Sequence, residues 1–104
     1  MEKFLKPEIS LTWLSNYLDT NPKYLSQIIR DYKNNNFNGY INTLRIDYIT
    51  KKLHKTSSYR EYKISYLAKE CGFSSVQVFV IAFKKETGIT PSYFIDHLKK
   101  NKEI

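Results

Sequence analysis

The sequence predicts an all-α chain of about seven helices, built as two similar blocks joined by one long connecting helix. Three observations carry this. Apolar residues recur at helical spacing along nearly all of the 104 residues, and strand-like alternation is hard to find. The three glycines and three prolines are few and fall near boundaries between the periodic stretches. A short helix, a break and a longer capped helix occur twice: Leu14 to Arg30 echoes Leu67 to Lys84, with one extra residue in the second break.

The elements follow in order. Residues 1–8 hold Phe4, Leu5 and Pro7 and read as the remnant of a first helix, too short to stand alone. Ser10 is an N-cap for a helix with Leu11, Leu14, Tyr17 and Leu18 on one face. Asp19-Thr20 breaks it. Asn21-Pro22 is a strong start signal, a cap followed by proline at the first helical position. The helix it opens carries Leu25, Ile28, Ile29 and Tyr32 toward the core, and Asn34-Asn35-Asn36 ends it, because asparagine tolerates left-handed backbone. The connecting helix runs from about Asn38 to His54, roughly 25 Å, with an apolar stripe of Tyr40, Ile41, Leu44, Tyr48, Ile49 and Leu53. Thr56-Ser57-Ser58 breaks it.

In the second block Ile64, Leu67, Ala68 and Cys71 line a short helix, and Gly72-Phe73-Ser74 makes the turn. Ser74 or Ser75 caps a helix burying Phe79, Ala82 and Phe83, which Gly88 closes. Thr90-Pro91 opens a last helix with Tyr93, Phe94 and Leu98. Each block is a helix-turn-helix. The chain divides into residues 1–37, a first helix-turn-helix subdomain, 38–55, the connecting helix, and 56–104, a second helix-turn-helix subdomain.

Composition narrows the function. With 41% hydrophobic residues, nine Tyr and six Phe, the chain can bury a core, which argues against disorder. Net charge is +7, from 17 Lys and Arg against 10 Asp and Glu, with a pI near 9.5. A basic domain of this size makes a polyanion the first partner to test, through release of condensed counterions; a solubilising lysine coat is the plainer alternative. The excess is concentrated. From Lys23 to Arg60 there are eight Lys and Arg, opposed only by Asp31 and Asp47.

Several chemistries find no support. The single cysteine, Cys71, allows no internal disulfide and reads as a small buried residue in a reducing compartment. His54 and His97 lack Cys or carboxylate neighbours at ligand spacing, so no metal site is expected. No glycine-rich phosphate loop, catalytic triad or paired-carboxylate arrangement stands out, so neither a cofactor nor an enzyme activity is expected. No apolar run reaches membrane-span length and no signal peptide opens the chain, so a cytoplasmic protein without membrane contact is expected.

The stretch Ala68-Lys69-Glu70-Cys71-Gly72-Phe73-Ser74-Ser75, then Phe79, then Ala82-Phe83-Lys84-Lys85-Glu86-Thr87-Gly88-Ile89-Thr90-Pro91-Ser92-Tyr93-Phe94, resembles the second helix-turn-helix signature of the AraC/XylS family. Asn21-Pro22-Lys23-Tyr24-Leu25-Ser26, Phe37 and Tyr40-Ile41-Asn42-Thr43-Leu44-Arg45-Ile46 agree with the first half, so the likeness runs from about Ser10 to Leu98. The wording is most similar to Bacteroidetes-type members. The resemblance implies a homeodomain-like pair of subdomains in a bacterial transcription regulator. It implies double-stranded DNA as partner, the second helix of each unit entering the major groove about one turn apart, and bent DNA. It further implies an effector or sensor domain elsewhere in a longer chain, and RNA polymerase as a candidate partner.

By the same resemblance Lys23, Ser26 and Gln27 point at base edges, which fits a core face made of Leu25, Ile28 and Ile29. Lysine donates to guanine O6 and N7, and glutamine pairs with adenine. Arg30 and Lys33 are placed for phosphates; plain solvation is the alternative for Lys23 and Gln27. In the second unit the matching positions are Val76, Gln77, Val80 and Ile81. Only Gln77 offers a hydrogen-bond code, while Val and Ile offer contact with thymine methyls. The alternative is a protein-interaction module on the same scaffold, with this apolar helix as its docking face. Arg45 matches a common family arginine and either holds the halves together or meets phosphate. Lys84 faces a phosphate or its own helix end. Ser74 and Ser75, one of which caps the helix, are also candidates for a phosphate contact, Ser75 the one chosen.

Overall fold

A computed structural model describes Leu5, residues 10–33 and residues 36–101; the side chains of Tyr32, Lys33 and Asn101 fall outside that description. Six α-helices and one 3₁₀ turn, with no strand, make up the described residues: α1 Leu11–Tyr17, α2 Pro22–Lys33, α3 Phe37–Lys55, the turn Ser57–Glu61, α4 Ile64–Glu70, α5 Val76–Thr87 and α6 Pro91–Asn101. The expected first-helix remnant lies outside the described residues apart from Leu5, which is half-buried against the larger core.

Local chemistry sets the helix starts. Ser10 accepts the Trp13 N–H at 3.0 Å and opens α1. Asn21 accepts the Tyr24 N–H at 2.7 Å, with Pro22 at the first helical position of α2. Asn36 accepts the Gly39 N–H at 2.7 Å. It therefore caps the connecting helix α3, whereas the sequence pattern put it at the end of α2. Ser75, not Ser74, caps α5 through the Val78 N–H at 3.3 Å. Gly88 ends α5 in left-handed backbone, φ +87°, and donates to the Lys84 carbonyl at 2.8 Å.

The 3₁₀ turn after α3 was not anticipated. It positions Arg60, whose Nε and Nη2 donate to the Leu53 and His54 carbonyls at 2.7 and 2.9 Å. A guanidinium thus satisfies the free carbonyls at the negative end of α3.

Two cores result. Leu14, Leu25 and Ile29 form the smaller, with Leu11, Phe37 and Tyr40 against it. The larger gathers Ile46, Ile49 and Leu53 from α3, Leu67 and Ala68 from α4, Phe79, Ala82 and Phe83 from α5, and Ile95 from α6. The connecting helix packs on α2 at one side and α5 at the other. Periodicity mis-assigned the edges of three stripes. Tyr17 and Leu18, expected inside, are 55% and 52% exposed, because α1 ends at Tyr17 and Asp19 turns the chain through φ +57°. In α6 Ile95 is buried where Tyr93 was expected, and Tyr93 is 62% exposed. In α3 Ile46 and Arg45 are buried beyond the expected stripe.

Gly72 forms the turn between α4 and α5 at φ +99°. A Cβ there would strike the Leu5 carbonyl, its carbon 2.7 Å away, and Arg45 Nε at 2.9 Å. Gly72→Ala is expected to lose about 1–3 kcal/mol from backbone conformation alone, with the clash adding to it. A thermal melt against the unaltered chain measures this.

Candidate nucleic-acid interface

The second helix of each unit turns an apolar side inward, and this decides what its other side offers. In α2, Leu25 and Ile29 are buried; Lys23, Gln27 and Arg30 are exposed and Ser26 is half-buried. Residues 23, 27 and 30 recur at spacings of four and three and so share one face. The face carries two cations and an amide. It also carries Asp31, whose carboxylate accepts from Gln27 Nε2 at 2.9 Å. Lys33, expected on a phosphate, has its side chain outside the described residues.

In α5, Phe79, Ala82 and Phe83 are buried, held by α4 and α6. Its solvent side presents Gln77, Lys84 and Lys85, together with Ile81 at 68% exposure. Val76 and Val78 are 38% and 49% exposed. Val80, expected on the outer face, is half-buried against the larger core and has less surface to offer than the pattern suggested. Val78 and Lys85 were not singled out from sequence. Val78 lines a cleft together with Phe37, Ile41 and Asn42 of α3, a tertiary relation that no periodicity rule reports. The Gln77 carbonyl Oε1 accepts from Ser75 Oγ at 3.2 Å, leaving its amide protons to donate outward.

Arg45, expected either to hold the halves together or to meet phosphate, is buried. It is 9% exposed, and its guanidinium lies 5.4 Å over the Phe73 ring, next to Gly72. Burial lowers its pKa, with Cys71 acting weakly the other way. Arg45 thus stands between the connecting helix and the Gly72 turn. It lines a cleft of about 270 Å³ with Asn38, Asn42, Ser74 and Ser75.

Cys71 is fully buried. Burial pushes its thiol up to about 12, with Arg45 acting in the opposite direction. The stabilising effect of keeping the thiol neutral is present below the ordinary thiol range and is lost as pH rises toward 12. Iodoacetamide at pH 8 is expected to leave native Cys71 unmodified and to alkylate it once guanidinium unfolds the chain; mass spectrometry reads both. His54 stands edge-on to Phe94 at 5.5 Å. Among the described residues no three His, Cys, Asp or Glu side chains gather closely enough to hold a metal ion. None of the described helices is long and apolar enough to cross a membrane.

A family model described as a helix-turn-helix domain matches residues 14–97. Over 90 residues the chain is 32% identical to the uncharacterized transcriptional regulatory protein YesN of Bacillus subtilis (strain 168), a match covering 85% of this chain and 24% of that protein. The chain thus spans about a quarter of that relative's length. The C-terminal domain of the two-component response regulator yesN from Fusobacterium nucleatum superposes with a TM-score of 0.73 at 29% identity, covering 90% of this chain and 87% of that one. A transcriptional regulator from Chromobacterium violaceum, described as AraC-type DNA-binding domain-containing, gives 0.79 at 21% identity, over 94% and 84% of the two chains. At that identity the likeness concerns the fold alone. Two capped helix-turn-helix units on one connecting helix, matched over most of the chain, place it: the chain belongs to the AraC-type helix-turn-helix family of DNA-binding transcription regulators.

Proposed function

We propose that this chain is the sequence-specific DNA-binding domain of a bacterial transcription regulator, inserting α2 and α5 into successive major grooves of one duplex. The observation that carries it is the outer face of α2, where Lys23, Gln27 and Arg30 stand exposed opposite the buried Leu25 and Ile29. Lys23, Ser26 and Gln27 read base edges, and Arg30 and Lys33 grip phosphates. In α5, Gln77 and Ile81 read, with smaller shares for Val76 and Val80, while Ser75 and Lys84 meet the backbone. The division into residues 1–37, 38–55 and 56–104 is the functional one: two reading units and a spacer. We further propose an effector or sensor domain elsewhere in a longer protein and RNA polymerase as a candidate partner, a reading that the chain's spanning a quarter of its relative supports.

The test is a titration of labelled duplexes, of preferred and of random sequence, at several salt concentrations. Affinity falls with salt for both, with a log–log slope of about −0.9 per neutralised phosphate. The preferred duplex keeps its advantage at each salt. Equal affinity for both duplexes at every salt contradicts sequence-specific binding.

One observation favours a second reading. Val76, Val78 and Ile81 put apolar surface on a recognition helix, which suits a protein docking face. Ile81→Ser separates the two: it leaves DNA affinity and preference unchanged if the face docks protein, and alters preference at one half-site if the face reads DNA.

A further inference from the structure

Gln27 and Asp31 stand one helical turn apart on the exposed side of α2. Gln27 Nε2 donates to Asp31 Oδ1 at 2.9 Å. A glutamine amide on its own can turn over and present either its oxygen or its nitrogen. Beside a carboxylate it cannot do so freely, because a carboxylate only accepts hydrogen bonds. Turning the amide over would set Gln27 Oε1 against a negatively charged oxygen.

We propose that Asp31 is a positioning residue that polarises Gln27 and thereby makes it a reader of adenine in preference to guanine. This rests on α2 being a recognition helix. One amide proton is engaged by Asp31, which leaves Gln27 an edge of one acceptor, Oε1, and one donor. Adenine offers the matching pair in the major groove, the N6 donor and the N7 acceptor. Guanine offers two acceptors, O6 and N7, so Oε1 would meet an oxygen lone pair. The inverted amide that would relieve this contact is the orientation Asp31 opposes.

Asp31 also has a cost. It is one of only two acidic residues between Lys23 and Arg60, and on a DNA-facing helix its charge repels phosphate. Discrimination and affinity therefore respond to it with opposite signs, which a merely structural residue would not produce.

The experiment uses the whole chain. A preferred duplex is selected from a randomised library, and the base pair whose identity matters to Gln27 is located with Gln27→Ala. Duplexes carrying each of the four base pairs there are titrated with the unaltered chain, Asp31→Ala and Asp31→Glu. The unaltered chain favours adenine over guanine by roughly tenfold or more, as a bidentate pair allows. Asp31→Ala lowers that ratio at least about threefold while affinity for random duplex holds or rises. Asp31→Glu, which keeps the carboxylate, keeps the preference. An unchanged ratio in Asp31→Ala, or a guanine preference in the unaltered chain, overturns the assignment. If Gln27→Ala erases a preference that Asp31→Ala leaves intact, only the role of Asp31 falls. If Gln27→Ala changes preference at no position, the recognition-helix reading of α2 falls first and takes this inference with it.

Discussion

Phe83→Ala is expected to cost about 3–5 kcal/mol of folding stability. Phe83 has no exposed surface. Its ring meets Phe79 at 5.8 Å and Phe94 at 5.3 Å, both near edge-to-face, and Phe79 meets Phe73 at 5.5 Å. This run of four rings joins the Gly72 turn, α5 and α6. Truncation removes the contacts of the third ring and leaves a cavity that rigid helices cannot close. Domains of this size are stable by about 5–15 kcal/mol, so the loss consumes a large share. A thermal melt followed by circular dichroism should show a midpoint lower by roughly 15 °C or more. DNA binding falls with it, since α5 is positioned by this core. A shift of only a few degrees would mean the rings are not packed as described.

Lys23→Ala combined with Gln27→Ala should act in the opposite way, leaving the fold intact and removing recognition. Both side chains are exposed, so the melting midpoint should stay within a few degrees. Each lost base contact costs about 1–3 kcal/mol at the preferred site. The residues are one turn apart and couple, so the double variant is expected near, but not at, the sum. On random duplex only the missing lysine charge is felt. Affinity for the preferred sequence should therefore drop toward the random-sequence level, as read by the same titration. An equal loss on both duplexes would assign Lys23 and Gln27 to the backbone instead of the bases.

Features governed by neighbouring residues were legible in the sequence. Ser10, Asn21-Pro22, Gly88 and Thr90-Pro91 mark helix ends through hydrogen bonds and backbone angles set within four residues. Deep core positions such as Leu25, Ile29, Phe79 and Phe83 were legible because they sit at the centre of a stripe. Stripe edges were not, because periodicity gives a helix its apolar side without fixing how far a neighbour wraps around it. Tyr93 came out exposed, and Ile46 and Ile95 buried, for that reason, while Tyr17 and Leu18 came out exposed because α1 ends there. Arg45 could be read either as holding the halves together or as meeting phosphate, and Arg60 only as one charge of the basic stretch. One is buried over Phe73 and the other caps α3 across the following turn, arrangements that depend on tertiary packing.

The candidate interface divides the same way. The exposure of Lys23, Gln27 and Arg30 follows from the burial of Leu25 and Ile29 and could be read from spacing. The half-burial of Val80 and the exposure of Val78 depend on how α5 sits between its neighbours. The tie between Gln27 and Asp31 had a visible signal, an amide and a carboxylate four residues apart on an exposed face. Net-charge bookkeeping hid it by treating Asp31 only as an opposing charge.

On the proposed function, one chain reads two successive grooves. The molecule is 49 Å long, enough to span one turn of duplex, about 34 Å. Selection from a fully randomised duplex library, followed by sequencing, measures this directly. Two preferred elements separated by about 10–10.5 base pairs centre to centre are predicted, the first of them lost in Lys23→Ala with Gln27→Ala. A single preferred element, two elements at unfixed spacing, or no enrichment would contradict it.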